Sequence, residues 1–301
     1  MDLKINWLLS WQHSTLLKAA GLRPGEPRLF YETMRALFEK TVISPGHSLG
    51  AFIVDEFREN IQMHYLELTL PTIAENLALD EALLDEADAG LYTDETLRLW
   101  ESPDYAVIVG RSSRLDLEVN RHACRRMGVP VLRRVSGGAA VVIGPGCLLY
   151  AVVLNTSKRL ELRSISHVHR FVLGRLAVAI QAQLPMVSAQ GICDLTLLGQ
   201  KVSGNSVRMK RNCVLYHGTL LYNFPLKMIG TLLTMPPRTP DYRGGREHGK
   251  FVANLPIGRD ELRQSLRTIW QAEVERTTWP TAETARHVTE RYSQSKWNEQ
   301  F

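Results

Sequence analysis

The chain predicts an α+β fold: a mixed or antiparallel β-sheet with helices packed on it, preceded by a helical N-terminal extension. Two observations carry this. Several β-prone runs follow one another with few helices between them, among them Cys147–Leu154, Asp194–Leu198, Lys201–Met209 and Cys213–Asn223. Between these, Ser164–Gln183 repeats Val168, Phe171, Val172, Leu176 and Ala179 at steps of three and four, the spacing of one helical face. Runs of strands with segregated helices indicate a sheet with helices on one side.

Taken in order, residues 1–62 read as an extension of unassigned role. Trp11–Leu22 and Arg28–Lys40 are helical in pattern, with Pro24-Gly25-Glu26-Pro27 as the break. A domain over 63–258 follows. Tyr65–Leu70 is a strand ended by Pro71, and Thr72 caps a helix that sets Asn76 and Asp80 one turn apart. Leu97–Trp100 and Tyr105–Gly110 are strands, and Leu115–Met127 is a helix closed by Gly128. Val131–Val135 and Ala139–Ile143 flank Ser136-Gly137-Gly138 as a hairpin. Gly199-Gln200, with glycine first, suits a two-residue type II′ turn before Lys201. Alternation then puts Ser203 and Asn205 on the face of Lys201. The stretch 236–254 is irregular and rich in Pro, Gly and Arg, a composition typical of functional loops. Helices over 261–275 and 282–294 form a C-terminal tail, 259–301.

The composition is 45% hydrophobic and 22% charged over 301 residues, that of a globular protein. No apolar run is long enough to span a membrane. Cys124, Cys147, Cys193 and Cys213 show no Cys-x-x-Cys pairing, so neither a zinc site nor a disulfide framework is indicated, and a reducing cytoplasm is expected. The net charge of +5 is carried in short basic patches such as Arg208, Lys210 and Arg211. No nucleic-acid recognition motif accompanies them, so no nucleic-acid partner is expected.

The most informative stretch is Arg133-Arg134-Val135-Ser136-Gly137-Gly138. Adjacent strand residues point to opposite faces, so only one of the two arginines faces inward. The small turn leaves backbone N–H groups open to an anion. An ordinary hairpin is the bland alternative. What argues against it is the order of later motifs: Gly191-Ile192-Cys193-Asp194, then Gly199-Gln200-Lys201-Val202-Ser203-Gly204, then His217-Gly218-Thr219-Leu220. Over about residues 65–255 this series resembles the catalytic domain of the lipoate-protein ligase family, related to biotin ligases and octanoyltransferases. The chain departs from the family pattern at Ala139, in place of a third glycine, at Ile143, in place of a histidine, and at Ser113, in place of a glutamine.

The resemblance implies an enzyme that activates lipoate or octanoate with ATP and Mg²⁺ as the acyl-adenylate. The acyl group then passes to a lysine of an apo lipoyl domain or glycine-cleavage H protein. It implies that Lys201 binds the acyl carbonyl and α-phosphate, and that Asp194 holds the lysine or the Mg²⁺ ion. Gly137, Gly138, Ser136, Ser203, Gly204, His217, Gly218 and Thr219 would line the substrate and nucleotide site. Arg133 or Arg134 would be the anion partner, and Arg98 would sit near the acyl pocket. Read from the residues alone, Arg98 is a surface strand arginine, Lys201 a solvent-facing lysine and His217 a core histidine. Two other functions fit the same motifs. An octanoyltransferase would take octanoyl from acyl carrier protein on a cysteine, with Cys193 as the candidate nucleophile. A binding module of the same fold would have no activity.

Overall fold

A computed structural model describes residues 61–301, Arg163 excepted. The helices expected over 11–22 and 28–40, and with them the extension 1–62 up to residue 60, lie outside the described residues. The element order is β1 (Met63–Glu67), α1 (Ile73–Asp88), β2 (Glu95–Trp100), β3 (Ala106–Val109), α2 (Leu115–Glu118), α3 (Arg121–Met127), β4 (Val131–Arg133), β5 (Val141–Ile143) and β6 (Cys147–Asn155). It continues through α4 (Ile165–Gln181), β7 (Val187–Gln190), β8 (Asp194–Leu197), β9 (Gln200–Met209), β10 (Cys213–Leu221), α5 (Lys227–Leu232) and α6 (His248–Phe251). The chain closes with α7 (Arg259–Trp270), β11 (Val274–Glu275), α8 (Thr281–His287), a π-helical turn (Val288–Tyr292) and α9 (Ser295–Asn298).

The result is an α+β fold on an eight-stranded mixed sheet, in the order β11-β1-β2-β6-β10-β9-β8-β7. Its centre, β6, is apolar throughout because both faces are covered. Leu149, Ala151 and Val153 pack with α1 residues Leu77 and Leu84 on one face. Leu148, Val152 and Leu154 pack with Val168, Val172 and Leu176 of α4 and Leu262 and Leu266 of α7 on the other. Helices therefore cover both sides of the sheet, not the one side expected. The apolar run of β6 already required this, since a one-sided sheet would alternate polar and apolar residues.

α1 starts as the sequence predicts. Thr72 Oγ1 accepts from the Glu75 N–H, and the Thr72 N–H donates back to Glu75 Oε2 at 2.8 Å. The expected helix over 115–127 is instead two short ones. Asn120 interrupts it, its Oδ1 accepting the Ala123 N–H at 3.1 Å and so starting α3 afresh.

The largest correction concerns residues 131–143. They are not a hairpin. β4 and β5 both pair with β3, parallel and antiparallel respectively, in a small sheet ordered β4-β3-β5. Ser136-Gly137-Gly138 is thus a loop that crosses the edge of β3 rather than a tight reversal. The β8–β9 turn is also shifted. Leu197 pairs with Gln200, so Leu198 and Gly199 form the loop, with φ of 52° and 78°. Positive φ at both positions is the type I′ geometry, not II′. β7 has no apolar alternation and gave no signal in the sequence.

Candidate functional site

A cavity of about 710 Å³ opens between the large sheet, the small sheet and the segment 238–242. Its inner part is apolar, walled by Leu77, Trp100, Ile108, Val141, Ile143 and Leu149. Ile143, at the position of the family's histidine, is fully buried and belongs to this wall. Lys201, Asp194 and the backbone of Gly138 line the polar part.

β9 places Lys201 by an irregularity. Thr196 of β8 pairs with Lys201, but Leu195 pairs with Ser203, so β9 carries one extra residue. The bulge breaks the expected alternation. Lys201 approaches Gly204, where a Cβ would lie 3.1 Å from both Cε and Nζ of the lysine. Ser203 is 1% exposed and donates to Asn205 Oδ1 at 3.1 Å; it does not line the cavity. Lys201 Nζ pairs with Asp194 Oδ1 at 2.7 Å, the lysine 27% and the aspartate 9% exposed. The Tyr242 hydroxyl donates to the other carboxylate oxygen at 2.7 Å. Burial and the Asp194 charge hold that phenol well above the ordinary tyrosine range, so it stays a donor. Both oxygens of Asp194 are thereby engaged. Gly218 allows β10 to lie close to this strand, since a Cβ there would meet Asn205 Oδ1 at 2.0 Å. Thr219 Oγ1 accepts from the Gly204 N–H at 3.4 Å.

The glycine turn forms another wall through Gly138 and Ala139, while Gly137, expected there, does not line the cavity. The carbonyls of the turn all face protein donors. Ser136 O accepts from the Arg111 N–H, Gly137 O from Ser206 Oγ at 2.7 Å and Arg134 Nη2 at 2.5 Å, Gly138 O from Ser113 Oγ at 3.1 Å, and Ala139 O from Arg134 Nη2 at 3.0 Å. The N–H groups of Gly137, Gly138 and Ala139 donate to no acceptor among the described residues, and all three residues are exposed. Gly138, at φ 87°, needs the left-handed region; Ala139 does not, which is why alanine replaces the third glycine without strain.

The two arginines part company. Both are buried, contrary to the expectation that one faces outward, because the C-terminal segment folds over the second face. Arg133 is 0% exposed and donates to the carbonyls of Gly110, Arg111, Ser113, Trp297, Asn298 and Gln300. It ties the C-terminus down and lines no part of the cavity. Arg134 does line it. Among the described residues no carboxylate pairs with Arg134, and burial pulls its pKa down to about 10. Arg98 is neither a surface arginine nor a cavity residue. It is fully buried, with Nη1 2.5 Å from Asp80 Oδ1 and Nη2 2.5 Å from Asn76 Oδ1. Asp80 in turn faces His217, its Oδ2 3.3 Å from Nδ1, and His217 Nε2 lies 2.6 Å from Ser136 Oγ. Asp80 and His217 line the cavity, while Ser136, 1% exposed, lies behind it.

Cys193 lines the cavity beside Asp194, but burial and that carboxylate push its thiol up, against the pull of Lys201. Cys147 and Cys213 are buried, and burial pushes Cys213 up to about 12. Among the described residues the one close group of three metal-type donors is Glu81, Asp85 and His287, none of which lines the cavity. Arg291 and Tyr292 hold Glu81, and Lys210 pairs with Asp85.

Sequence reasoning missed Tyr242, Asp80 and Ser206 as site residues. The alternation of β9 gave no sign of the bulge, and Tyr242 sits in a loop with no periodicity. Asp80 was visible as a helix pair with Asn76, in a run that resembles the family, but was given no role in the site. No helix among the described residues is long and apolar enough to cross a membrane.

Residues 72–268, more than half of the chain, match the family model described as the lipoyl protein ligase A/B catalytic domain. Lipoate–protein ligase 1 of Staphylococcus aureus is 27% identical over 216 residues, 69% of this chain and 62% of the relative. The octanoyltransferase LipM of an Exiguobacterium species is 26% identical over 180 residues, 52% and 64% of the two chains. Two further curated relatives, from Aeropyrum pernix and Mycoplasma pneumoniae, are matched over 52% and 51% of their length, so the chain spans about half of those proteins. A bi-partite lipoate protein ligase of Thermoplasma acidophilum, studied with its E2 lipoyl domain, shares the fold at a TM-score of 0.67 and 21% identity, over 79% of this chain and 96% of the other. The chain belongs to the lipoyl protein ligase A/B catalytic domain family.

Proposed function

We propose that the chain activates lipoate or octanoate with ATP and transfers the acyl group to a lysine of a lipoyl domain or glycine-cleavage H protein. The observation that carries this reading is the meeting of three features on one cavity: an apolar inner wall, the Lys201–Asp194 pair, and a glycine turn whose N–H groups meet no acceptor among the described residues. The apolar wall suits a fatty chain or a dithiolane tail. A carboxylate does not acylate an amine unaided, so it is first activated by attack on the α-phosphorus of ATP, with pyrophosphate leaving. Negative charge grows on the phosphoryl oxygens and later on the acyl carbonyl oxygen. A preorganised cation and N–H donors lower both barriers, each by on the order of a few kcal/mol. Lys201 serves as that cation, held by Asp194 so that it need not be oriented at the moment of reaction. Arg134, which pairs with no carboxylate among the described residues, supplies a second positive field. ATP and lipoic acid are bound in solved structures of this fold.

A Mg²⁺ ion bound with the phosphates needs one or two carboxylates. Asp194 and Asp241 line the cavity and are the residues that would hold it. Bound there, it would supply charge neutralisation.

A second reading has one observation in its favour: Cys193 lines the cavity next to Lys201 and Asp194. A thioester route through this cysteine needs a thiolate, and its raised pKa opposes that. The test is acylation of an apo lipoyl domain, read as intact mass. The ligase reading expects the octanoyl or lipoyl increment from free acid plus ATP. Use of octanoyl-AMP but not ATP would leave this chain only the transfer half-reaction. Product from octanoyl carrier protein alone, lost in Cys193→Ser, would make it an octanoyltransferase. Product from no donor would leave a binding module.

A further inference from the structure

Arg98, Asp80, His217, Ser136 and Arg134 form one continuous buried chain along the cavity, Asp80, His217 and Arg134 lining it and Arg98 and Ser136 behind it. Its hydrogens can be ordered from the ends inward. Asp80 is an acceptor for Arg98 at one oxygen and for His217 Nδ1 at the other. With the ring proton of His217 placed on Nδ1, which faces Asp80, Nε2 is left as an acceptor. The Ser136 hydroxyl then donates to Nε2 at 2.6 Å. That turns the oxygen of Ser136 toward Arg134 Nε, which donates to it at 3.1 Å. Every link has one donor and one acceptor, and none is left over. The serine–histidine–aspartate order is reminiscent of a nucleophile triad. Ser136 is sealed behind the cavity wall, however, and its oxygen already accepts from a guanidinium, so it is not a nucleophile.

The far end of the chain shows its purpose. The Arg134 fork is held by Ser136 at Nε and by the Ile108 carbonyl at Nη1. So fixed, its Nη2 clamps the carbonyls of Gly137 and Ala139. A carbonyl drawn to one side of a turn leaves the neighbouring N–H groups free on the other.

We propose that Asp80, His217 and Ser136 are positioning residues: they hold the Arg134 fork against the glycine-turn carbonyls, and thereby present the turn's N–H groups to the carboxylate or phosphate of the substrate. This rests on the acyl-activation reading and deepens it. Arg134 acts chiefly as a clamp, and the anion is received by backbone N–H groups in its field. A lysine, which keeps the charge but lacks the fork, cannot replace it.

The experiment compares binding of octanoate and octanamide to the full chain by calorimetry. The two ligands share a chain and differ in charge, so a packing defect weakens both alike and a misaligned anion receptor weakens octanoate more than octanamide, whose neutral carbonyl accepts weaker bonds from the same N–H groups. Wild type is expected to prefer octanoate by at least about tenfold, the scale of lost charge-assisted hydrogen bonds. Ser136→Ala and Arg134→Lys are expected to bring the two affinities within about threefold of each other, chiefly through loss of octanoate affinity. His217→Gln, which retains a polar side chain, gives the same loss and serves if Ser136→Ala does not fold. An unchanged octanoate preference in these folded variants overturns the proposal and leaves the functional reading intact. A wild type that binds neither ligand overturns both, and one that binds both equally removes the anion receptor.

Discussion

Two walls of the same cavity hold their charges in different ways. The glycine-turn wall is locked. Arg134, with Arg133 behind it, is buried; among the described residues neither meets a carboxylate within hydrogen-bond reach, and both donate mainly to backbone carbonyls, Arg134 also to Ser136 Oγ. The β9 wall is open. Lys201 is 27% exposed and bridges to Asp194, which a loop tyrosine also holds. A guanidinium buried among carbonyls shapes the backbone and costs stability when removed. A half-exposed ammonium contributes little to stability and is free to meet a ligand. The difference separates scaffold from chemistry within one site, and substitutions on each side should report it separately.

The largest effect is expected at Lys201. Lys201→Ala should lower acyl transfer by about a thousandfold or more, the range seen when a preorganised electrostatic group is lost, while thermal unfolding stays within about 1 kcal/mol of wild type. Loss of activity together with loss of fold would erase the contrast between the walls. Next comes Arg133→Ala, which orphans several buried carbonyls and frees the C-terminus. It should cost about 3 kcal/mol of stability in denaturant titration, with activity per folded molecule kept. Gly204→Ala should be milder, since the new methyl meets only the flexible end of Lys201 at 3.1 Å. The ammonium is displaced, and activity falls about tenfold with stability nearly unchanged. The smallest effect belongs to Cys193. Burial and Asp194 raise its thiol pKa, so the neutral thiol persists at neutral pH, and alkylation should accelerate only as pH rises beyond the ordinary thiol range. Cys193→Ser should leave ATP-dependent transfer intact; abolished transfer would move the chemistry to the cysteine.

Much of this site was legible in the order of its motifs, because glycines, a lysine and a His-Gly-Thr run are local signals. The fold class was legible too, since β6 and α4 carry clear periodicities. What was hidden depends on pairing partners. The arginine pair could not be resolved because strand alternation predicts direction but not what covers each face. Here residues 297–300 cover Arg133. The assignment of Ser203 failed because one extra residue in β9 reverses the alternation beyond it. Residues 131–143 were misread as a hairpin because β3, which lies between the two strands, precedes them in sequence by more than twenty residues. Arg98 escaped because a buried arginine in a strand looks like an exposed one until Asp80 and Asn76 are set against it.

The most direct test is octanoate- or lipoate-dependent exchange of labelled pyrophosphate into ATP, measured on the full chain and on Lys201→Ala. Exchange that needs the free acid, and that disappears in the variant while its unfolding curve stays in place, is the predicted result. Exchange that persists without Lys201 would contradict the assignment of the activating cation to this lysine.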